Sequence, residues 1–151
     1  MSARTTLEIS NEFEAIRGMS EAVEAFCREQ GMDQHGLMSL NLALVEWVSN
    51  IIKYSGLPHG SHHIQLEISR EDNAIVTTIC DPGVAFNPSD TPEPDLESDI
   101  KDRPIGGLGI YIIRNLVDQF SYQRTGERNQ ITMRKQLRSA EPEENATNPA
   151  P

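Results

Sequence analysis

The sequence predicts an α/β fold: a two-layer sandwich with a mixed, mostly antiparallel sheet covered on one face by helices. Three observations carry this. Two stretches, 16–26 and 37–51, repeat apolar residues at spacings of three and four, the signature of amphipathic helices. Four or five short runs alternate in polarity or are rich in β-branched residues, as strands are. No strand–crossover–strand succession runs through the chain, which argues against a doubly wound parallel sheet.

Taken in order, Thr5–Ile9 alternates and predicts a short strand. Asn11 followed by Glu14 resembles a capping box, and Ile16, Met19, Val23 and Phe26 then mark a helix ending near Gly31. Asp33 is placed to cap a second helix. Its buried stripe is Leu37, Leu40, Leu44, Trp47, Val48 and Ile51, and Ser55-Gly56-Leu57-Pro58 stops it. His63–Ser69 alternates, Glu71-Asp72-Asn73 turns the chain, and Ala74–Cys80 is β-branched, so the pair predicts an antiparallel hairpin. Pro82–Ile105 has five prolines and no periodicity and predicts a long loop. Leu108–Val117 predicts a helix. Phe120–Arg124 and Ile131–Leu137 predict strands, joined through Gly126-Glu127-Arg128-Asn129. A folded domain is therefore expected over residues 5–137, with 138–151 a disordered acidic tail.

A length of 151 residues is that of one domain, able to bury about two-thirds of its unfolded surface. Only 5% of residues are aromatic, so the core must be aliphatic. The formal charge of −10 offers no basic footprint for nucleic acid. No apolar run reaches the roughly 20 residues that span a bilayer, and no secretory leader is visible. Cys27 and Cys80 form no motif, which fits a reducing, cytoplasmic setting. Six acids against Lys101 in Ser89–Asp102 carry net −5, half of the total. That segment reads either as a surface for a basic partner or as a solvated loop.

The chemistry concentrates in three short segments. Gly106-Gly107-Leu108-Gly109 opens an apolar helix, where bare backbone and unpaired N–H groups can meet an anion, Gly107 and Gly109 being the best phosphate candidates; the alternative is close packing on the sheet. It lacks both the preceding strand of a dinucleotide fingerprint and the Gly-Lys-Ser/Thr of a P-loop. Glu46 and Asn50 lie four apart, on one helical face at the border of the apolar stripe. An exposed helix face explains such a pair, and so does a general base beside an amide oxygen for Mg²⁺. Lys53, about one turn on, is placed to meet a phosphate or simply solvent. Asp81 ends a strand before Pro82-Gly83, where it either starts a turn or accepts from an exocyclic amine such as that of adenine. Gly83 would leave bare backbone beside the base. Thr132 offers a hydroxyl from the last strand, and Arg103 stands just before the glycine cluster. His59, His62 and His63 lack a ligand partner at metal spacing and read as a solvated loop.

Glu46-x-x-x-Asn50-Ile51-Ile52-Lys53-Tyr54, then Asp81-x-Gly83-x-x-Phe86-Asn87-Pro88, then Gly106-Gly107-Leu108-Gly109-Ile110 resemble, in order, the N box and the two glycine boxes of GHKL-type ATPases. Within that superfamily the chain resembles the small anti-sigma-factor serine/threonine kinases. Leu116-Val117-Asp118-Gln119-Phe120-Ser121-Tyr122 and a last strand share in the likeness. The resemblance implies a Bergerat-type ATP-binding fold and an ATP-dependent protein kinase. Asn50 would hold Mg²⁺, and Glu46 would act as general base on a serine or threonine hydroxyl. Asp81 would read adenine beside Gly83 and Thr132. Gly107, Leu108 and Gly109 would wrap the phosphates, with Lys53 and Arg103 near them, and Ser89–Ile105 would form the ATP lid. It implies a small anti-anti-sigma (STAS-type) protein as substrate, a sigma factor as second partner, and a homodimer. The alternative is an ATP-binding interaction module that transfers nothing. Trp47 stands where the family usually has a small residue, and the first glycine box has one glycine.

Overall fold

The computed structural model describes residues 3–88 and 107–138. Arg103, Gly106, the expected lid Ser89–Ile105 and the expected tail from residue 139 onward lie outside them. Among the described residues, five strands and three helices form the expected sandwich. The strands are β1 (Arg4–Ser10), β2 (His63–Glu71), β3 (Ala74–Asp81), β4 (Gln119–Thr125) and β5 (Arg128–Gln136). Their order in the sheet is β1-β2-β3-β5-β4, and every ladder is antiparallel, so the sheet is not mixed. The helices are α1 (Ile16–Glu29), α2 (Gln34–Tyr54) and α3 (Gly107–Leu116).

Alternation along the strands sorts the two faces. Ile64, Leu66 and Ile68 of β2, Ile75 and Ile79 of β3, and Ile131 and Met133 of β5 are buried against the helices. Met19, Val23 and Phe26 of α1 and Leu40, Leu44, Trp47 and Val48 of α2 supply the other half of the core. Each such side chain contributes about 1.5–3 kcal/mol by leaving water, so the aliphatic periodicity of the sequence decides the fold.

Local chemistry sets the ends of α2. Asp33 Oδ1 accepts from the Gly36 N–H at 2.7 Å, the expected cap. Gly56, at φ +84°, turns the chain out of the helix. The start of α1 differs from expectation. A 3-10 turn over Phe13–Ala15 precedes it, and no side chain caps that turn. Asn11 is instead buried under the loop after α2, accepting from the His62 N–H at 3.0 Å and donating to the Pro58 carbonyl at 3.2 Å. A long-range loop outbids the local cap because it satisfies both ends of a buried amide. The β4–β5 turn is also tighter than expected. Only Gly126 (φ +63°) and Glu127 lie between the strands, which places Arg128 and Asn129 in β5.

Candidate active site

Helix α2 carries Glu46 and Asn50 one turn apart on its edge. Asn50 is buried and Glu46 half-buried, as residues at the border of the apolar stripe should be. Helix α3 begins at Gly107 and packs its first turn onto that edge. A Cβ on Gly109 would stand 3.3 Å from Glu46 Oε1 and 3.3 Å from Asn50 Nδ2, closer than side chains usually approach. The glycine therefore brings the N-terminus of α3, with its unpaired N–H groups and partial positive charge, against a carboxylate and an amide. Asn50 Nδ2 is buried and has no hydrogen-bond partner among the described residues. A buried orphan amide is costly unless something binds it. Lys53 is exposed, seven residues after Glu46 and so on the same edge of α2.

Asp81 closes the other side of the cleft. It ends β3 and is 2% exposed. Its Oδ2 accepts from the Gly83 N–H at 2.9 Å and from Asn129 Nδ2 at 3.3 Å. Burial pushes the Asp81 carboxyl above the usual carboxylate range, against the pull of those two donors and of the Arg124 and Arg128 charges. Oδ1 takes no hydrogen bond found among the described residues, and Asp81 lines a cavity with Trp47, Asn50, Tyr54, Val84 and Phe86. The cavity holds only about 20 Å³, because Phe86 stacks on Trp47 with ring centroids 5.9 Å apart.

Asn129 organises this corner, and sequence reasoning missed it. Its Nδ2 donates to the Val84 carbonyl at 2.8 Å as well as to Asp81. Its Oδ1 accepts from Tyr122 Oη at 2.6 Å, Arg124 Nη1 at 3.2 Å and the Phe86 N–H at 3.2 Å. Arg124 also donates to the Gly83 carbonyl at 2.8 Å. The signal was in the turn: a two-residue Gly126-Glu127 hairpin puts Asn129 opposite Asp81 in the ladder. Thr132 is a correction. It pairs with Thr78 and Ser121 on the outer face of the sheet, between the inward Ile131 and Met133, and so faces away from Asp81. The period of two decides this, and the ladder position opposite Asp81 falls to Asn129.

Gly83 serves packing. A Cβ there would meet Ser55 Cβ at 2.6 Å and Asp81 Oδ2 at 2.9 Å, so the glycine admits the C-terminus of α2. Gly83→Ala is expected to cost about 1–3 kcal/mol by overpacking, or about 2–4 °C of melting temperature per kcal/mol at this chain length. Gly18→Ala is the control, because nothing lies within 4 Å of its added Cβ and it sits inside α1. Thermal melts of the two should move in opposite directions. An unchanged Gly83→Ala melt would contradict the tight contact with Ser55.

A profile of the histidine kinase-like ATPase domain matches residues 9–135. The chain belongs to the histidine kinase-like ATPase family. The serine/threonine-protein kinase BtrW of Bordetella bronchiseptica is 27% identical over 95 residues, covering 63% of this chain and 67% of that protein. A Mycobacterium tuberculosis structure of RsbU and RsbW domains superposes with a TM-score of 0.66 at 13% identity, covering 89% of this chain. The chain spans about a third, 32%, of that Mycobacterium chain. The SiaB–SiaC complex from Pseudomonas aeruginosa gives a TM-score of 0.57 at 15% identity, covering 87% of this chain and 88% of that one. The two structures share the fold. For a histidine kinase-like ATPase domain, the donor set fits its nucleotide: an orphan amide, a helix N-terminus opened by glycine, and a carboxylate with one oxygen left over.

Proposed function

We propose that this histidine kinase-like ATPase domain is an ATP-dependent serine/threonine protein kinase of the anti-sigma type. The observation that carries the reading is the approach of Gly109 to both Glu46 and Asn50, which joins the phosphate loop to a base and a metal-ligating amide. The likeness to the kinase BtrW supports it. Asp81 reads the exocyclic amine of adenine through Oδ1, held by Gly83 and Asn129. Gly107, Leu108 and Gly109 offer backbone N–H groups to phosphate, Lys53 supplies charge at the rim, and Arg103, just before the glycine cluster in the sequence, is a second candidate for phosphate. Asn50 presents its oxygen to Mg²⁺, with its amide N–H₂ left for a phosphate oxygen or water. The ion, when bound, neutralises charge on the phosphates.

Glu46 takes the proton of a serine or threonine hydroxyl on the protein substrate. That oxygen forms the new bond to the γ-phosphorus while the bond to the β–γ bridging oxygen breaks, and ADP leaves with that electron pair. The substrate is a small anti-anti-sigma (STAS-type) protein, and a sigma factor is the second partner, held by a homodimer to regulate transcription. The setting is cytoplasmic. Two free cysteines and the lack, among the described residues, of any helix able to cross a membrane support that setting.

The test is incubation with labelled ATP, Mg²⁺ and the purified STAS-type proteins of the same cell. Label on one of them is expected. Intact ATP affinity with no label would favour the alternative, an ATP-binding interaction module. A flat calorimetric titration with ATP would remove both.

A further inference from the structure

Outside the cleft, the outer side of α2 carries an unsatisfied surface. Met38 is 61% exposed and Leu42 46% exposed, one helical turn apart. With Val45 and with Leu116 at the end of α3, they line a mainly apolar groove of about 470 Å³. Val45 and Leu116 are half-buried against the core, and the exposed pair Met38 and Leu42 extends that apolar surface outward along one groove, the mark of a contact surface. Asn41 lines the same groove, and its Oδ1 is enclosed without a hydrogen-bond partner among the described residues. The missing partner is a donor.

The position of the groove says what covers it. Leu42 precedes Glu46 by four residues, about 6 Å along the same helix. A protein segment lying along this face of α2 from Met38 toward Glu46 therefore crosses Leu42. Charge narrows the occupant further. Glu24 of α1 and His35 of α2 line the groove, no lysine or arginine does so among the described residues, and Glu46 lies one turn beyond Leu42 on the same helix. The wall thus asks for apolar side chains, a hydrogen-bond donor and a positive rather than negative charge.

We propose that the Met38–Leu42 groove docks the protein substrate, through an amphipathic segment that carries a lysine or arginine close to its phosphorylated serine or threonine. The inference rests on the kinase reading for the role of Glu46. The groove lies outside the nucleotide cleft, so disturbing it leaves ATP binding intact. It separates substrate capture from chemistry: apolar contact and Glu24 hold the segment, and Glu46 acts one turn further on.

The probes are the purified STAS-type proteins, titrated calorimetrically into the Mg²⁺–ADP complex of the full chain and assayed for label transfer from ATP. The variants are Met38→Ser with Leu42→Ser, which removes apolar surface without adding charge, and Glu24→Lys, which reverses the rim. Both alter exposed or half-buried positions, so ATP affinity should stay at the parent value and report an intact fold. For the serine pair the KM for the protein should rise about tenfold or more with kcat unchanged. Glu24→Lys should give a smaller rise that salt abolishes.

Label transfer with an unchanged KM overturns the docking surface and leaves the kinase reading standing. Partner binding that weakens in the serine pair, when neither protein transfers label, overturns the kinase reading and keeps the docking surface. Dissociation of a dimer into monomers by the serine pair, with protein KM unchanged, assigns the groove to self-association and overturns the proposal. Absence of partner binding by the parent chain also overturns it.

Discussion

Glu46→Gln is expected to lower phosphotransfer by roughly 10²–10⁴-fold while leaving ATP affinity where it was. The amide has the shape of the carboxylate, so the close contact with Gly109 survives and α3 keeps its seat. What is lost is the ability to take a proton. Glutamine in place of Glu46 also removes a negative charge near the γ-phosphate, which if anything favours nucleotide. Binding and chemistry should therefore separate cleanly, measured as kcat for label transfer and as a calorimetric Kd for ATP. The size of the loss distinguishes two roles. Phosphoryl transfer through a loose transition state asks little of a base, so a fall below about tenfold would mean that Glu46 only orients the hydroxyl. No fall at all would remove Glu46 from the reaction.

The parts of this site differed in how openly the sequence displayed them. Glu46 and Asn50 were legible because a single helix fixes their relation: four residues apart is one turn, whatever the rest of the chain does. The helix itself was legible because Leu37, Leu40, Leu44, Trp47, Val48 and Ile51 hold one period throughout. Asp33 was legible as its cap for the same local reason. The meeting of Gly109 with that edge was not geometry in the sequence. It followed from resemblance, and the physical ground, the absence of room for a Cβ, became visible only with α2 and α3 side by side.

Sequence reasoning went astray where register decided the outcome. Placing the β4–β5 turn over four residues instead of two left Asn129 in a loop, and Thr132 stood as the supporting residue from its hydroxyl in the last strand and from the resemblance. In the ladder, Asn129 stands opposite Asp81, while Thr132 stands opposite Thr78 on the other face. A one-residue change of parity moves a side chain across the whole sheet, and β-branched composition does not encode parity. Asn11 failed for the opposite reason. Its local pattern was right for a cap, but His62 and Pro58, some fifty residues later, took both ends of its amide. Phe86, part of the first glycine-box motif, packs by stacking on Trp47. That stack also fills most of the cavity beside Asp81.

Asp81→Asn should abolish measurable ATP binding while leaving the fold as stable as the parent, or more so, at neutral pH. Two donors hold Oδ2. Gly83 N–H at 2.9 Å and Asn129 Nδ2 at 3.3 Å will take the oxygen of the new amide, because the other orientation points donor at donor. The amide nitrogen then occupies the place of Oδ1 and presents a donor to the exocyclic amine of adenine, itself a donor. A site built to accept and made to donate loses its ligand, since both groups are left unpaired. Stability goes the other way. Burial raises the Asp81 pKa in the folded state, so the folded chain holds its proton over a range in which the unfolded chain, titrating near 3.9, has already lost it. The folded form binds more protons there, and stability must fall as pH rises from the ordinary aspartate value through the raised one. Above that range the penalty is constant, and the asparagine variant is free of it. Thermal melts across pH should show the parent losing stability over that window and the variant flat. ATP affinity of the parent should weaken on acidification, because the proton settles on Oδ1, the oxygen without donors. A variant that binds ATP at parental strength would remove Asp81 as the adenine reader. A variant that melts well below the parent at pH 7 would mean that the charge pairing with Arg124 and Arg128 outweighs desolvation at this corner.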